Sequence, residues 1–253
     1  MGKVIAVANQ KGGVAKTTTT LNLGAYLAQM GKRVLILDSD PQGNATSGIG
    51  IEKYNLDDCF YDVLINDLDI REVILETKMK NLWIVPATLQ LAGAEVEMVA
   101  LEQREYLARK ALGLIRESYD YILIDCPPSL GLLTVNAFTA ADTYLIPIQS
   151  EYYALEGLSL LLQTIDSIRR SSNHELSLEG ALLTMYDNRT NLSGQVRDEV
   201  SAYFKGKLFR TVIPRNVKLA EAPSFGVPIS VYDPQSKGAT AYLELAKEVI
   251  NNG

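Results

Sequence analysis

The stretch Asn9-Gln10-Lys11-Gly12-Gly13-Val14-Ala15-Lys16-Thr17-Thr18 constrains this chain more than any other. It follows an apolar run, Val4-Ile5-Ala6-Val7-Ala8, and enters a segment with Leu21, Leu23, Leu27 and Ala28 that reads as a helix. A strand that turns through glycines into a helix offers backbone N–H groups, the positive end of a helix dipole and room for close approach. Those are the requirements of a polyphosphate cradle. Gly12 and Gly13 supply the approach, Lys16 the charge, and Thr17 a hydroxyl placed to ligate Mg2+. The strict pattern G-x-x-x-x-G-K-[ST] fails twice, because its glycine positions hold Gln10 and Ala15. Ala15 is expected in ordinary helical dihedrals, with its N–H facing phosphate.

Strands and helices alternate along the rest of the chain. Buried strands are expected at 4–8, 33–37, 82–87, 121–125 and 143–149, with further strands at 177–185, 207–213 and 229–232. Helices are expected at 17–30, 92–117, 155–170, 192–204 and 239–250, and residues 45–80 read as mixed short helices. This order predicts an α/β fold of three layers, a mostly parallel twisted β-sheet with helices on both faces. With 253 residues and 47% hydrophobic content, one domain spanning 1–253 is expected. Two strands end in carboxylates: 33–37 runs into Asp38-Ser39-Asp40-Pro41-Gln42-Gly43-Asn44, and 121–125 closes on Asp125-Cys126-Pro127-Pro128. Carboxyl ends of parallel strands are where such sheets bind ligands. An aspartate ending an apolar strand can hold the water shell that Mg2+ keeps.

Composition narrows the functional classes. Cys59 and Cys126 lack metal-ligand spacing, His174 stands alone, and no apolar run is long enough for a membrane span. A soluble protein of a reducing cytosol is expected. The net charge of −6 argues against a generic nucleic-acid binder, yet residues 189–218 carry +5 and the remainder −11.

The loop with its second lysine, the Asp40-Pro41-Gln42-Gly43-Asn44 turn, the Asp125-Cys126-Pro127-Pro128 turn and Ile213-Pro214-Arg215-Asn216 together resemble the ParA/Soj-type chromosome or plasmid partition ATPases. These belong to the deviant Walker A group of P-loop NTPases that also holds MinD. The resemblance runs along nearly the whole chain. It implies Mg2+ and ATP as cofactors, slow intrinsic hydrolysis, and an ATP-dependent homodimer that sandwiches two nucleotides. It also implies non-specific binding to double-stranded DNA, stimulation by a ParB-type centromere-binding protein, and a cytoplasmic location, on the nucleoid when ATP is bound.

Carried over by residue, the resemblance makes Lys11, Lys16 and Asp40 catalytic. Lys11, Gly12, Gly13, Val14, Ala15, Lys16, Thr17, Thr18, Pro214 and Asn216 would hold the nucleotide, the last two at its adenine. Thr17, Asp40 and Asp125 would serve the metal shell, with Asp38 in support. Lys11 would reach the partner's nucleotide, and Asp40 would position the attacking water. Arg189 and Lys218 fall where this family contacts DNA. A small-molecule ligase on the same fold is disfavoured, since no acid, base or nucleophile set appears beyond the ATP site. A MinD-like membrane switch is disfavoured too, because the stretch from Tyr242 reads as a packing helix. An iron–sulfur reductase would need cluster cysteines that Cys59 and Cys126 do not supply.

Overall fold

The computed structural model describes residues 2–151, 155 and 158–252. Its strands are β1 (Lys3–Val7), β2 (Val34–Asp38), β3 (Leu75–Glu76), β4 (Leu82–Val85), β5 (Tyr121–Asp125), β6 (Thr143–Gln149) and β7 (Ser177–Thr184). Its α-helices are α1 (Lys16–Gln29), α2 (Asn44–Gly48), α3 (Phe60–Ile65), α4 (Ile70–Val73), α5 (Leu91–Glu97), α6 (Leu107–Gly113), α7 (Leu132–Ala140), α8 (Leu158–Ser171), α9 (Asn191–Phe204), α10 (Val217–Glu221), α11 (Ile229–Tyr232) and α12 (Lys237–Asn251). The strands form one sheet in the order β3-β4-β2-β5-β1-β6-β7. Every pairing is parallel except that of the short edge strand β3 with β4.

Alternate side chains of each strand feed two cores. Val4, Ala6, Leu35, Leu37, Ile122, Ile124 and Ile146 face the layer of α3 to α9, whereas Ile5, Val7, Ile36, Ile84, Leu123 and Leu145 face α1, α2, α11 and α12. Because both faces are covered, the central strands read as continuous apolar runs, and the predicted three-layer α/β architecture is the one observed. α12 buries Ala239, Tyr242, Leu245, Ala246 and Val249, and the Tyr242 hydroxyl meets Thr19 Oγ1 of α1 at 3.1 Å. This helix is a packing element, as expected. No helix among the described residues is long and apolar enough to cross a membrane.

Three local expectations are corrected. Residues 229–232 form α11 and not a strand: Pro228 fixes the entry at φ −72°, and the Ile229 N–H donates to Asn22 Oδ1 at 2.7 Å. Residues 207–213 lie beside β7 but make only isolated bridges, such as Ala181 with Leu208. The Arg210 and Thr211 N–H groups donate instead to the Glu248 carboxylate of α12, at 2.7 and 3.1 Å. The helix expected over 92–117 is broken, with Gln103 at φ +53° between α5 and α6. Buried Asn136 replaces the missing helical bonds, donating to the Arg104 carbonyl at 2.7 Å and accepting from the Ala108 N–H at 3.0 Å. The helix expected from 155 is observed as α8 from Leu158; Leu155 lies in a turn, and 156–157 lie outside the described residues.

Candidate nucleotide site

β1 delivers the chain to the C-terminal edge of the sheet, and the glycine-lysine loop carries it into α1. Asn9 secures the start of the turn: its Nδ2 donates to the Pro147 carbonyl at 2.7 Å and its Oδ1 accepts from the Lys11 N–H at 3.0 Å. Thr184 at the end of β7 secures the middle, donating its hydroxyl to the Val14 carbonyl at 3.1 Å. Gly13 stands at φ +73° and Ala15 at φ +71°, ψ +34°. The expectation of helical dihedrals for Ala15 is therefore wrong. Alternation through the left-handed region turns successive N–H groups toward one concave side, and that orientation is what the loop gains from the strained alanine. Ala15 also starts the helix, since its carbonyl accepts from the Thr19 N–H at 2.9 Å.

The result is a row of donors. Among the described residues, the backbone N–H groups from Gly12 to Thr18 make no hydrogen bond to the protein. A Cβ built on Gly12 or Gly13 would meet no protein atom within 4 Å. Lys16 is buried, and its Nζ donates to the Lys11 carbonyl at 3.1 Å, leaving two of its three ammonium protons for another acceptor. Burial lowers its pKa, against the raising influence of Asp125, Cys126 and Asp40.

Opposite this row stand the carboxylates. Asp38 and Asp125 are register partners on β2 and β5, both fully buried. Asp125 accepts from the Thr17 hydroxyl at 2.7 Å and the Thr20 hydroxyl at 3.2 Å. Burial, reinforced by Asp38, raises its pKa well above the usual carboxylate range. Asp38 accepts from Thr46 N–H and Oγ1 at 2.8 and 2.7 Å, and burial pushes its pKa up to about 6 in spite of those bonds. The Asp40 N–H donates to Asp38 at 3.2 Å, and Asp40 Oδ1 accepts from the Gln42 N–H at 2.9 Å, so the turn after β2 is internally braced.

No group of three or more His, Cys, Asp or Glu side chains among the described residues is arranged to enclose a metal. Mg2+ binds through one or two protein groups, several waters and the phosphates of its substrate, and the Thr17 hydroxyl and Asp125 carboxylate, 2.7 Å apart, are groups of that kind. The unpaired N–H row, the buried lysine and the Thr17–Asp125 pair fit a polyphosphate together with a divalent cation.

The structure brings Lys16, Thr17 and Asp125 together, with Asp40 beside them through Asp38. Lys11 lies outside the cradle, its Nζ 3.2 Å from Glu151 with the side chain 42% exposed. Pro214 bridges Tyr186 just beyond β7, and Asn216 caps α10, accepting from the Lys218 N–H at 2.9 Å. Arg189 is exposed and pairs with Asp187 through Nε and Nη2 at 2.9 and 2.8 Å, and Lys218 pairs with Glu221 at 2.9 Å. Asn9, Thr20, Thr46 and Thr184 shape the site without having been singled out in the sequence. Only Thr20, one helical turn from Thr17, carried a local signal.

Comparison with known proteins agrees with this geometry. A family model described as an AAA domain matches residues 2–178. Over 253 residues the chain is 59% identical to the sporulation initiation inhibitor protein Soj of Bacillus subtilis (strain 168), covering 100% of both. It is 50% identical over 250 residues to the chromosome-partitioning ATPase Soj of Treponema pallidum (strain Nichols), covering 99% of this chain and 98% of that one. Among solved structures, cobyrinic acid a,c-diamide synthase from Mycobacterium smegmatis with bound ADP and magnesium is similar at a TM-score of 0.88 and 38% identity, over 99% of this chain and 95% of that one. Likeness of this extent, joined to a cradle that fits Mg-ATP, makes the chain a member of the ParA/Soj-type partition ATPases, an ATPase of the P-loop class.

Proposed function

We propose that this chain is an ATP-dependent DNA-segregation switch working as a single domain over residues 1–253. It binds Mg-ATP, closes into a nucleotide-sandwich homodimer, binds double-stranded DNA without sequence preference, and hydrolyses ATP when a ParB-type partner stimulates it. Its place is the cytoplasm, on the nucleoid while ATP is bound. The observation that carries the reading is the division of labour between two lysines. Lys16 is buried against the unpaired N–H row, whereas Lys11 stands outside it on an exposed pair with Glu151.

On this reading Lys16 neutralises the β- and γ-phosphates of its own nucleotide and Lys11 those of its partner's. Gly12, Gly13, Val14, Ala15 and Thr18 contribute N–H groups to the phosphates, and Pro214 and Asn216 flank the adenine. Bound Mg2+ supplies charge neutralisation across the phosphates. Thr17 and Asp125 hold its site, and Asp40 orients the attacking water. Phosphoryl transfer asks little covalent chemistry of a protein, so positioning and electrostatics suffice. Arg189 and Lys218 meet DNA phosphates. Arg189 uses two of its guanidinium donors on Asp187, and the others remain for a phosphate.

The test is dimerisation by light scattering and DNA binding by gel shift, each with ATP, ADP and no nucleotide. Gain of both with ATP alone, with DNA binding that weakens steeply in salt, is the expected result. DNA binding indifferent to nucleotide would refute the switch. A second reading, an ATP-dependent small-molecule enzyme, draws on the name carried by the Mycobacterium smegmatis structure. The greater identity to Soj along the whole chain favours partition.

A further inference from the structure

Arg189 and Lys218 differ from the rest of the basic stretch 189–218 in one respect: each already holds a carboxylate. Arg189 donates from Nε and Nη2 to Asp187 at 2.9 and 2.8 Å, and Lys218 donates from Nζ to Glu221 at 2.9 Å. Between them Arg197, Lys205, Lys207, Arg210 and Arg215 are exposed and, among the described residues, form no ion pair. Exposed pairs add little to stability, so the fold gains little from neutralising these two.

Both carboxylates are held in place. Asp187 also accepts the Arg189 N–H at 3.0 Å, and its side chain is 26% exposed beneath an Arg189 side chain that is 87% exposed. Glu221 receives the Tyr232 hydroxyl on the same oxygen as Lys218, at 2.9 Å, while Lys218 Nζ lies 5.6 Å from the centre of the Tyr232 ring. The Arg189 hydrogen bonds, with a smaller contribution from the Arg215 charge, hold the Asp187 carboxyl well below the usual carboxylate range, and bonds from Lys218 and Tyr232 lower that of Glu221. Both are therefore anions at neutral pH. The donors that Arg189 and Lys218 keep free can reach a DNA phosphate, but only against that negative charge. At about 5 Å through water, one unit charge weakens the approach of a phosphate about fourfold.

We propose that Asp187 and Glu221 compete with DNA phosphates for Arg189 and Lys218, and so keep a single patch too weak to hold DNA. A lone chain then stays off the duplex, while two linked patches in a dimer still bind because their affinities multiply. The inference rests on the reading of Arg189 and Lys218 as DNA contacts, and adds the two acidic residues that set their strength.

The probe is a labelled DNA duplex of arbitrary sequence, titrated with the full chain by fluorescence anisotropy at low salt, where a single patch is measurable, with Mg-ADP and with Mg-ATP. Asp187→Asn and Glu221→Gln keep the shape and one acceptor of each side chain and remove its charge. Each should tighten binding about fourfold with ADP, and more with ATP, where two patches act. The gain of Asp187→Asn should vanish in an Arg189→Ala background, and that of Glu221→Gln in a Lys218→Ala background. Asp198→Asn removes an unpaired charge from the same stretch and should gain clearly less; an equal gain there, or gains that persist without the cations, would reduce the effect to net charge and overturn the competition. Unchanged binding in both carboxylate variants would overturn it as well, and weaker binding would make these residues supports that orient the cations, the opposite of what is proposed. Arg189→Ala combined with Lys218→Ala separates the two levels. Wild-type DNA binding in that variant would remove the contacts themselves, whereas weak binding there, with the carboxylate variants inert, would sink the competition alone.

Discussion

Ala15 is the residue at which a substitution should improve the fold. Its φ of +71° lies in the left-handed region, which costs an L-residue roughly 1–2 kcal/mol. Ala15→Gly removes that strain. Glycine also enlarges the conformational freedom of the unfolded chain, which takes back about 0.4–1 kcal/mol. The difference leaves a net stabilisation of about 0.5–1 kcal/mol, and for a domain of this size that corresponds to a rise of about 1–4 °C in the thermal midpoint. Calorimetry on the ligand-free chain reads it directly, with Ala15→Val as the opposite arm. Valine in the left-handed region adds the clash of a β-branch, so its midpoint should fall. If Ala15→Gly lowered the midpoint, or Ala15→Val left it unmoved, the backbone would not be strained as argued.

The remaining predictions concern charge and hydrogen bonding. Thr46→Val leaves Asp38 without its hydroxyl donor and the Ala87 N–H without its acceptor, and should cost about 2–3 kcal/mol in denaturant unfolding; a loss below about 0.5 kcal/mol would refute the role of that buried hydroxyl. Asp38, pushed up to about 6, keeps its proton in the folded chain where the unfolded chain has lost it, so its contribution to stability grows as pH falls from about 6 to the ordinary value of 3.8. In ligand-free Asp38→Asn that part of the stability–pH curve should flatten, and an unchanged curve would count against it. Lys16→Ala should abolish ATP binding by calorimetry, unchanged affinity being the refuting result. Asp40→Ala should trap an ATP-bound dimer, and wild-type turnover in that variant would remove Asp40 from the water site.

Much of the sheet was legible because β1, β2, β5 and β6 are buried on both faces, and their apolar runs leave little alternative. Where legibility failed, a distant partner decided the local conformation. Ile229-Ser230-Val231-Tyr232 has the composition of a strand, but Asn22, far away in sequence, takes its first N–H and makes it helical. α7 went unread because Leu132-Leu133-Thr134-Val135-Asn136-Ala137-Phe138 has no polar face to reveal a helical period. The same holds at the site. Lys16, Thr17 and Asp125 stand in recognisable local patterns, whereas Thr184 reaches the loop from the far end of the chain by one hydrogen bond. At Ala15 only the dihedrals were misread: its N–H was expected to face phosphate, but an alanine, unlike a glycine, gives no sign of a left-handed backbone.

The unfavourable features of this molecule gather at one place and share one remedy. Buried Asp38 and Asp125 repel each other, burial disfavours the Lys16 charge, the N–H row lacks acceptors, and Ala15 is held in the left-handed region. A polyphosphate relieves only the lysine and the N–H groups, and it brings further negative charge against the carboxylates. A divalent cation would relieve only the carboxylates, and would add positive charge near Lys16. Together they satisfy both sets, so Mg2+ and ATP should bind as a unit whose affinity exceeds what either achieves alone, and the strain carried by the empty chain becomes a coupling between them.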